Sequence, residues 1–279
     1  MPEGDSIWRA AAQLHAALAG QQLTGSDFRV PKFATLKLDG WTVNEVVPRG
    51  KHLLMRLRGP DEEQLTIHSH LKMEGIWQVY PPGGRWRKPG FTARCVLRTA
   101  TADAVGFSLG ILEVVRTADE DSVVGHLGPD LLGPDWDLAE AERRLRAAPD
   151  VPVGVALLDQ RNVAGIGNIY RCEACFLSGV HPAAPVSYVQ DLPKLLIDAK
   201  QLLEANLGPG RRTTVLNKQG TPVGRNAGRP GYWVYRREHQ PCLKCATPIR
   251  RGVLAKDTGT EERDIYFCPT CQPPPGPKA

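Results

Sequence analysis

Four cysteines near the C-terminal end restrict the fold of this 279-residue chain more than any other feature. They form two Cys-x2-Cys pairs about twenty residues apart, a spacing typical of a tetrahedral zinc site on a β-hairpin. Two disulfides are the alternative, which a cytoplasmic chain disfavours. We predict one structural Zn²⁺ that does no chemistry, because four thiolates leave the metal no open position. Its ligands are Cys242, Cys245, Cys268 and Cys271.

The other three cysteines are predicted to be buried apolar residues. Cys172 and Cys175 lie in a helical pattern with no partner pair nearby, and Cys95 lies in a strand pattern. A redox switch at Cys172 and Cys175 is the alternative.

Hydrophobic periodicity predicts an α+β chain. Ile7, Ala11, Leu14 and Leu18 recur at helical spacing, with Asp5 or Ser6 as the cap and Gly20 at the end. From about residue 22 to residue 116, short alternating runs separated by Gly and Pro predict a β-sandwich or barrel. Residues 117–152 read as a connection with one short helix at 138–147. Residues 153–206 are helical with breaks at 159–162 and 179–182, and residues 207–231 are loop-like.

The charge distribution permits a polyanionic partner. Residues 1–150 carry 18 Lys and Arg against 20 Asp and Glu, whereas residues 200–272 carry 13 against 6. A basic C-terminal third suits nucleic acid, since Lys and Arg displace counterions from phosphates, although a solvated basic face is an equal alternative. No apolar run has the length of a membrane span and no secretion signal opens the chain, so we expect a cytoplasmic protein.

The chain opens with Met1-Pro2-Glu3-Gly4-Asp5. A small second residue generally allows removal of the initiator methionine, which would leave Pro2 with a free secondary amine. Such an amine can attack C1′ of a damaged nucleotide and form an iminium. Glu3 can then donate the proton that opens the sugar. An ordinary helix start is the alternative, because a carboxylate suits a helix N-terminus.

Three further segments accompany this start and the zinc pairs. They are Arg49-Gly50-Lys51, the run LLDQRNVAGIGNIYRCEACFLSGVHP at 157–182, and Arg263, five residues before Cys268. In these motifs the sequence resembles the formamidopyrimidine-DNA glycosylase and endonuclease VIII family along nearly its whole length.

The resemblance implies a role for each motif. Pro2 would be the nucleophile and Glu3 the acid, while Lys51 would contact the phosphate beside the lesion. Asn168, at the start of the second helix of a helix–two-turn–helix, would hold a phosphate, as a helix N-terminus favours an anion. Arg263 would be the minor-groove arginine of the zinc hairpin, and we count Lys51 and Arg263 with the catalytic residues. Taken singly, Lys51 fits a solvated strand end, Asn168 a helix cap and Arg263 a surface charge.

The loop at 70–75 resembles the family's void-filling loop, with Lys72 contacting DNA and Met73 as the wedge that replaces the extruded nucleotide. Core packing is the alternative for Met73. The Arg-Phe pair that formamidopyrimidine glycosylases place against the opposite base is absent from residues 106–111, which favours the endonuclease VIII-like branch and oxidised pyrimidines over oxidised purines. The family usually continues Pro-Glu-Gly-Pro-Glu, whereas Asp5 and Ser6 stand here, so the resemblance supports base removal more strongly than δ-elimination.

The resemblance implies an N-terminal helix plus β-sandwich domain, then a helix–two-turn–helix domain with a zinc β-hairpin. We place the catalytic domain at 1–125, a linker at 126–152, the DNA-binding helices at 153–235, the zinc finger at 236–272 and a disordered tail at 273–279. The expected activity on damaged DNA is base excision followed by β,δ-elimination, in a monomer. A non-catalytic DNA-binding zinc protein is the alternative.

Overall fold

A computed structural model describes residues 2–217, 219–223, 231–254 and 262–274 of the chain. Parts of the predicted 207–231 loop and of the predicted disordered tail therefore lie outside the described residues. The chain divides into two compact units, Met1–His126 and Leu127–Ala279, called unit 1 and unit 2 below.

Unit 1 begins with helix α1, Gly4–Leu18, whose four predicted apolar residues are all buried. The predicted caps are wrong. Glu3 is the N-cap, while Asp5 and Ser6 belong to the first turn. At the other end Ala19 is the C-cap, and Gly20 follows it with a φ of +77°, the left-handed conformation typical of a glycine that ends a helix.

Eight strands follow α1 and form two four-stranded antiparallel sheets, ordered β1-β6-β7-β5 and β2-β3-β4-β8. The helix packs with both sheets around one apolar core. This mixed helix and sheet arrangement confirms the predicted fold class. The strands are β1 Gly25–Phe28, β2 Thr42–Arg49, β3 His52–Arg58, β4 Gln64–His70, β5 Ile76–Tyr80, β6 Ala93–Arg98, β7 Asp103–Phe107 and β8 Ile111–Arg116.

Unit 2 is helical up to its cysteine module. Its core includes Leu131, Ala141 and Leu145, which lie in the segment predicted as a linker and are fully buried. A short helix, α2 Asp121–Val124, ends unit 1. The helices of unit 2 are α3 Leu138–Arg146, α4 Val153–Ala156, α5 Asn168–Leu177 and α6 Leu192–Glu204. Two strands, β9 Arg250–Leu254 and β10 Arg263–Phe267, pair antiparallel between the two cysteine pairs.

Candidate active site

Glu3 occupies an unusual position for a carboxylate at a helix start. Its backbone is extended, with φ −131° and ψ −177°, and its carbonyl oxygen accepts from the Ser6 and Ile7 amides at 2.9 and 3.2 Å. The side chain accepts no capping hydrogen bond, yet it is fully buried. Burying a carboxylate is costly, and helix capping does not account for it here.

The first turn of α1 contains a second buried carboxylate. Asp5 is fully buried, and its Oδ2 lies 3.5 Å from Nη2 of Arg9. Ser6, where the family commonly has a carboxylate, is half-buried. Asp5 is therefore the second buried acidic residue of the turn that begins next to Pro2.

Helix α1 runs antiparallel to β2. The Gly20 amide donates to the Val43 carbonyl at 2.8 Å, and the Val46 amide donates to Nδ1 of His15 at 3.2 Å. Residues nearer the start of α1 therefore lie beside residues nearer the end of β2. The first turn, with Pro2 and Glu3, consequently lies towards the end of β2 that leads into the Gly50-Lys51 turn.

The Gly50-Lys51 turn joins β2 to β3 with two residues, since Arg49 pairs with His52. Gly50 has a φ of +58°, and Lys51 does not have a positive φ. Positive φ at the first central residue alone is typical of a type II′ turn, which requires glycine at that place. The turn therefore fixes Lys51 at the rim of the sandwich, where it is half-buried.

The predicted wedge loop follows β4 and is a tight turn. The Gly75 amide donates to the Leu71 carbonyl at 2.8 Å, and a Cβ on Gly75 would lie 2.4 Å from that oxygen. Lys72 has a φ of +51°, and its amide donates to Nδ1 of His70 at 2.9 Å. Met73 is 60% exposed, so the core-packing interpretation of this residue is wrong.

The loop between β7 and β8 supports the wedge loop. The Gly110 amide donates to the His70 carbonyl at 3.0 Å. A Cβ on Gly110 would lie only 2.2 Å from Cγ of Lys72, so the Lys72 side chain leaves no room for a larger residue than glycine at position 110. Phe107 is fully buried at the end of β7 and Leu109 is buried in the core, so this loop offers no large apolar side chain to solvent.

A histidine cluster, His52, His68, His70 and His126, lies beside these loops and was not predicted from the sequence. Nδ1 of His52 is 2.7 Å from Nε2 of His68, whose Nδ1 is 3.1 Å from Oε2 of Glu113. A carboxylate only accepts, so neutral His68 donates to Glu113 and accepts from His52. Burial, with the neighbouring His70, lowers the pKa of His52 to about 3. Burial, with the cations Lys72 and Lys51, lowers the pKa of His70 to about 4. His52 and His70 are thus neutral at pH 7.

In unit 2, Asn168 is the first residue of α5, after the N-cap Gly167. Its Nδ2 donates to the Asp264 carbonyl at 2.9 Å, so the helix start is tied to β10 directly after Arg263. Arg171 is fully buried one turn later; its Nη2 donates to the same carbonyl at 2.9 Å and to Oδ1 of Asn168. The structure therefore bonds Asn168 to the residue after Arg263, both directly and through Arg171, an arginine that the motifs did not indicate.

Glu173 provides a second connection within unit 2. The Val234 and Tyr235 amides donate to its Oε1 at 2.9 and 2.8 Å, and the Trp233 amide donates to its Oε2 at 2.7 Å. The Thr214 hydroxyl also donates to it. Burial raises the pKa of Glu173, against the effect of these four hydrogen bonds. This carboxylate holds residues 233–235, which precede the cysteine module, against α5.

The four predicted zinc ligands converge. Their Sγ atoms all lie within 4.8 Å of one another, with Sγ–Sγ distances of 3.9 Å for Cys242–Cys271 and 3.4 Å for Cys245–Cys268. Tetrahedral Zn²⁺ with bonds of about 2.3 Å requires separations of about 3.8 Å. The Lys244 amide donates to Cys242 at 3.4 Å, which helps to orient that thiolate. The residues fit a metal ion of this kind. Cys95, Cys172 and Cys175 are fully buried, which confirms their apolar role.

Comparison with known proteins relates the N-terminal and the helical parts of the chain to the same family. Residues 1–108 match the formamidopyrimidine-DNA glycosylase N-terminal domain, and residues 127–216 match the formamidopyrimidine-DNA glycosylase H2TH domain. A probable endonuclease 8 2 of Streptomyces coelicolor is 51% identical, with 100% of this chain and 96% of the relative covered. A DNA-(apurinic or apyrimidinic site) lyase Nei2 of Mycolicibacterium smegmatis is 44% identical over 98% of this chain and 99% of the relative. The chain belongs to the formamidopyrimidine-DNA glycosylase and endonuclease VIII family.

Membership of this family, and of its endonuclease VIII-like branch, confirms the resemblance seen in the motifs. A formamidopyrimidine-DNA glycosylase of Lactococcus lactis, solved with DNA containing an abasic site, has the same fold, with a TM-score of 0.76 at 23% identity over 98% of this chain and 100% of that one. Of the helices in the described parts of the chain, none is long and apolar enough to cross a membrane.

Proposed function

We propose that this family member is a bifunctional DNA glycosylase and abasic-site lyase of base excision repair, with the amine of Pro2 as its nucleophile. The observation that carries the proposal is the fully buried carboxylate of Glu3, which follows Pro2 directly in the chain. A carboxyl group held away from water beside an amine is suited to proton transfer during sugar opening.

The chemistry divides into two stages. After removal of Met1, the nitrogen of Pro2 attacks C1′ of the damaged nucleotide, and the base departs with its bonding pair and the proton that the amine loses. Glu3 supplies a proton to O4′ as the C1′–O4′ bond breaks, which leaves an iminium between Pro2 and C1′. The resulting iminium acidifies C2′, so loss of a C2′ proton expels the 3′ phosphate by β-elimination. A second elimination of the 5′ phosphate completes strand cleavage, and hydrolysis of the iminium restores the amine.

The remaining predicted residues bind the substrate. Lys51 and Lys72 are cations at the same rim as the start of α1, suited to phosphates beside the damaged nucleotide. Asn168 and Arg263 supply phosphate and groove contacts from unit 2. Met73, exposed on its tight turn, fills the space left by the extruded nucleotide. The four cysteines would hold one structural Zn²⁺, which supplies folding energy to the hairpin that carries Arg263.

We infer oxidised pyrimidines as the substrate class, in line with relatives that are named endonuclease 8, and a monomeric enzyme. Oligonucleotides that each carry one defined oxidised pyrimidine or purine test the first inference, with excision of purines as the contrary result. Light scattering of the purified protein tests the second.

Borohydride trapping tests the nucleophile. Reduction of the iminium during turnover leaves the protein covalently attached to DNA, and peptide mapping should place the link on Pro2. Mass spectrometry of the same preparation should show a chain that starts at Pro2. A link at a lysine, or no link in a protein that lacks Met1 and cuts DNA, would contradict the assignment.

A further inference from the structure

Two large apolar side chains are exposed among the described residues of unit 1: Met73 at 60% and Phe91 at 83%. Met73 has a place in the function proposed above, but Phe91 has none. It lies in the single turn 90–92 that leads into β6. An exposed phenylalanine on an otherwise well-packed sandwich requires an explanation, since burying such a ring is strongly favourable.

The sheet register places the two side chains at the same end of the sandwich. Phe107, the last residue of β7, pairs with Ile76 at the start of β5 and with Ala93 at the start of β6. The loops that carry Met73 and Phe91 lead into these two strands, and the β7–β8 loop leaves from the same end. The Ser108 amide donates to the Thr92 carbonyl at 2.7 Å. Bonded backbone therefore connects Phe91 through 108–110 to the wedge loop.

The backbone around Phe91 is held in place. The Thr92 amide and hydroxyl both donate to the Pro89 carbonyl, at 3.0 and 2.7 Å, and Nη1 of Arg29 donates to the Gly90 carbonyl at 3.1 Å. The Arg29 guanidinium lies 5.3 Å above the ring of Trp86. The Phe91 ring is thus presented to solvent by a fixed turn, so little ordering is left for a partner to impose.

The charge around Phe91 identifies the kind of partner. Residues 81–102 contain five Lys and Arg and no Asp or Glu. Four of these cations, Arg85, Arg87, Lys88 and Arg94, are exposed. Exposed cations interleaved with an exposed aromatic ring are the combination by which proteins hold nucleic acid, with phosphates on the cations and a base stacked on the ring.

We propose that Phe91 is a second apolar wedge, which stacks on the unpaired base opposite the gap that Met73 enters. The proposal rests on the function proposed above. Extrusion of a nucleotide leaves a space the size of one base and an unpaired base opposite it, and a single unbranched methionine covers only part of these surfaces. The 108–110 loop at the same rim cannot complete the filling, because Leu109 is buried in the core. Phe91 supplies the flat apolar surface that a base left without its partner requires.

A binding experiment that needs no chemistry tests this role. The probe is a duplex with tetrahydrofuran, a stable abasic analogue, opposite the fluorescent base 2-aminopurine. We expect Phe91→Ala to weaken affinity by about fivefold to 150-fold, the range for losing one base–aromatic stack, and to reduce the fluorescence change on binding. Phe91→Trp should restore both. Ile197→Ala, which removes a 40% exposed side chain of α6, is the matched control and should bind as wild type does.

The outcomes distinguish the proposed role of Phe91 from the proposed chemistry of Pro2. Equal affinity and equal fluorescence change for Phe91→Ala and Ile197→Ala would overturn the wedge, whether or not the protein cuts DNA. Loss of affinity without a change in the 2-aminopurine signal would also overturn it, since the ring would then act away from the gap. Failure of borohydride trapping with an intact 2-aminopurine response would instead refute the proposed chemistry and leave the wedge standing. Thermal unfolding of Phe91→Ala should match wild type, because the side chain is exposed.

Discussion

Replacement of Arg171 by methionine tests how unit 2 positions Asn168. The guanidinium is fully buried and donates to the carbonyls of Gly154, at 3.3 Å, and Asp264, at 2.9 Å, and to Oδ1 of Asn168. Methionine has a similar length and adapts to its surroundings, but it has no donor. The substitution therefore removes three hydrogen bonds while filling most of the same space.

The expected loss in the free energy of unfolding depends on which hydrogen-bond acceptors lose their donor. The Asp264 carbonyl keeps its bond from Nδ2 of Asn168 at 2.9 Å, whereas the Gly154 carbonyl and Oδ1 of Asn168 lose the bond from Arg171. A buried acceptor without a donor costs about 1–3 kcal/mol. The buried guanidinium also carries a desolvation penalty that methionine avoids. We expect a loss of about 2–4 kcal/mol in the free energy of unfolding, a large part of the usual 5–15 kcal/mol.

Calorimetry should show a transition of unit 2 that is lower by about 5–15 °C, at 2–4 °C for each kcal/mol in a domain of this size. DNA affinity at fixed salt should fall as well, because Asn168 loses one of the two bonds that orient its amide. Arg146→Met is the matched control: this arginine is exposed and pairs with Glu142 at 2.7 Å, so its loss should cost less than about 1 kcal/mol. If Arg171→Met melted and bound DNA as Arg146→Met does, the proposed positioning role would be refuted.

Three further perturbations separate metal, chemistry and protonation. Cys242→Ser should lower the zinc content and weaken DNA binding while leaving the unfolding of unit 1 unchanged; zinc loss with full DNA binding would count against the hairpin as a DNA contact. Glu3→Gln should abolish base excision and preserve DNA binding, whereas Arg263→Ala should weaken binding at all sequences and flatten the salt slope by about one unit; the reverse pattern would exchange their roles. Lowering the pH from 7 to 5.5 should destabilise unit 1 by about 1 kcal/mol for each of His52 and His70, because their folded pKa values of about 3 and about 4 lie below the unfolded value of 6.5 and the unfolded chain binds the proton first. Urea unfolding at the two pH values measures this loss, and equal midpoints would mean that folding does not lower the pKa values of His52 and His70.

Local sequence patterns predicted the helix α1 and the alternating strands well, since both depend on spacing along one face. They failed at the start of α1, because Glu3 is not among the preferred capping residues. They also did not delimit the individual strands within residues 22–116. Every residue of β7 is buried, so it shows no alternation between apolar and polar residues.

The motifs indicated the residues that we propose as substrate contacts, but not the residues that hold them in place. Arg171 bonds to a carbonyl 93 positions away, and Glu173 bonds to amides about 60 positions away. The stack of His52 on His68 depends on the register of β3 with β4. No local pattern encodes such partners. The exposure of Phe91 could not be predicted either, because a single phenylalanine between Gly and Thr has no local pattern that distinguishes an exposed ring from a buried one.

The buried thiols give each unit its own reporter of unfolding. Cys95 lies in the sandwich of unit 1, while Cys172 and Cys175 lie within α5 of unit 2. Burial raises the pKa of all three, to about 11 for Cys172 and about 12 for Cys175. An alkylating reagent reacts with the thiolate, so each cysteine becomes reactive only when the surrounding core opens. Mass spectrometry after pulses of such a reagent would therefore follow the opening of the sandwich and of the helical unit separately, in one sample of unmodified protein.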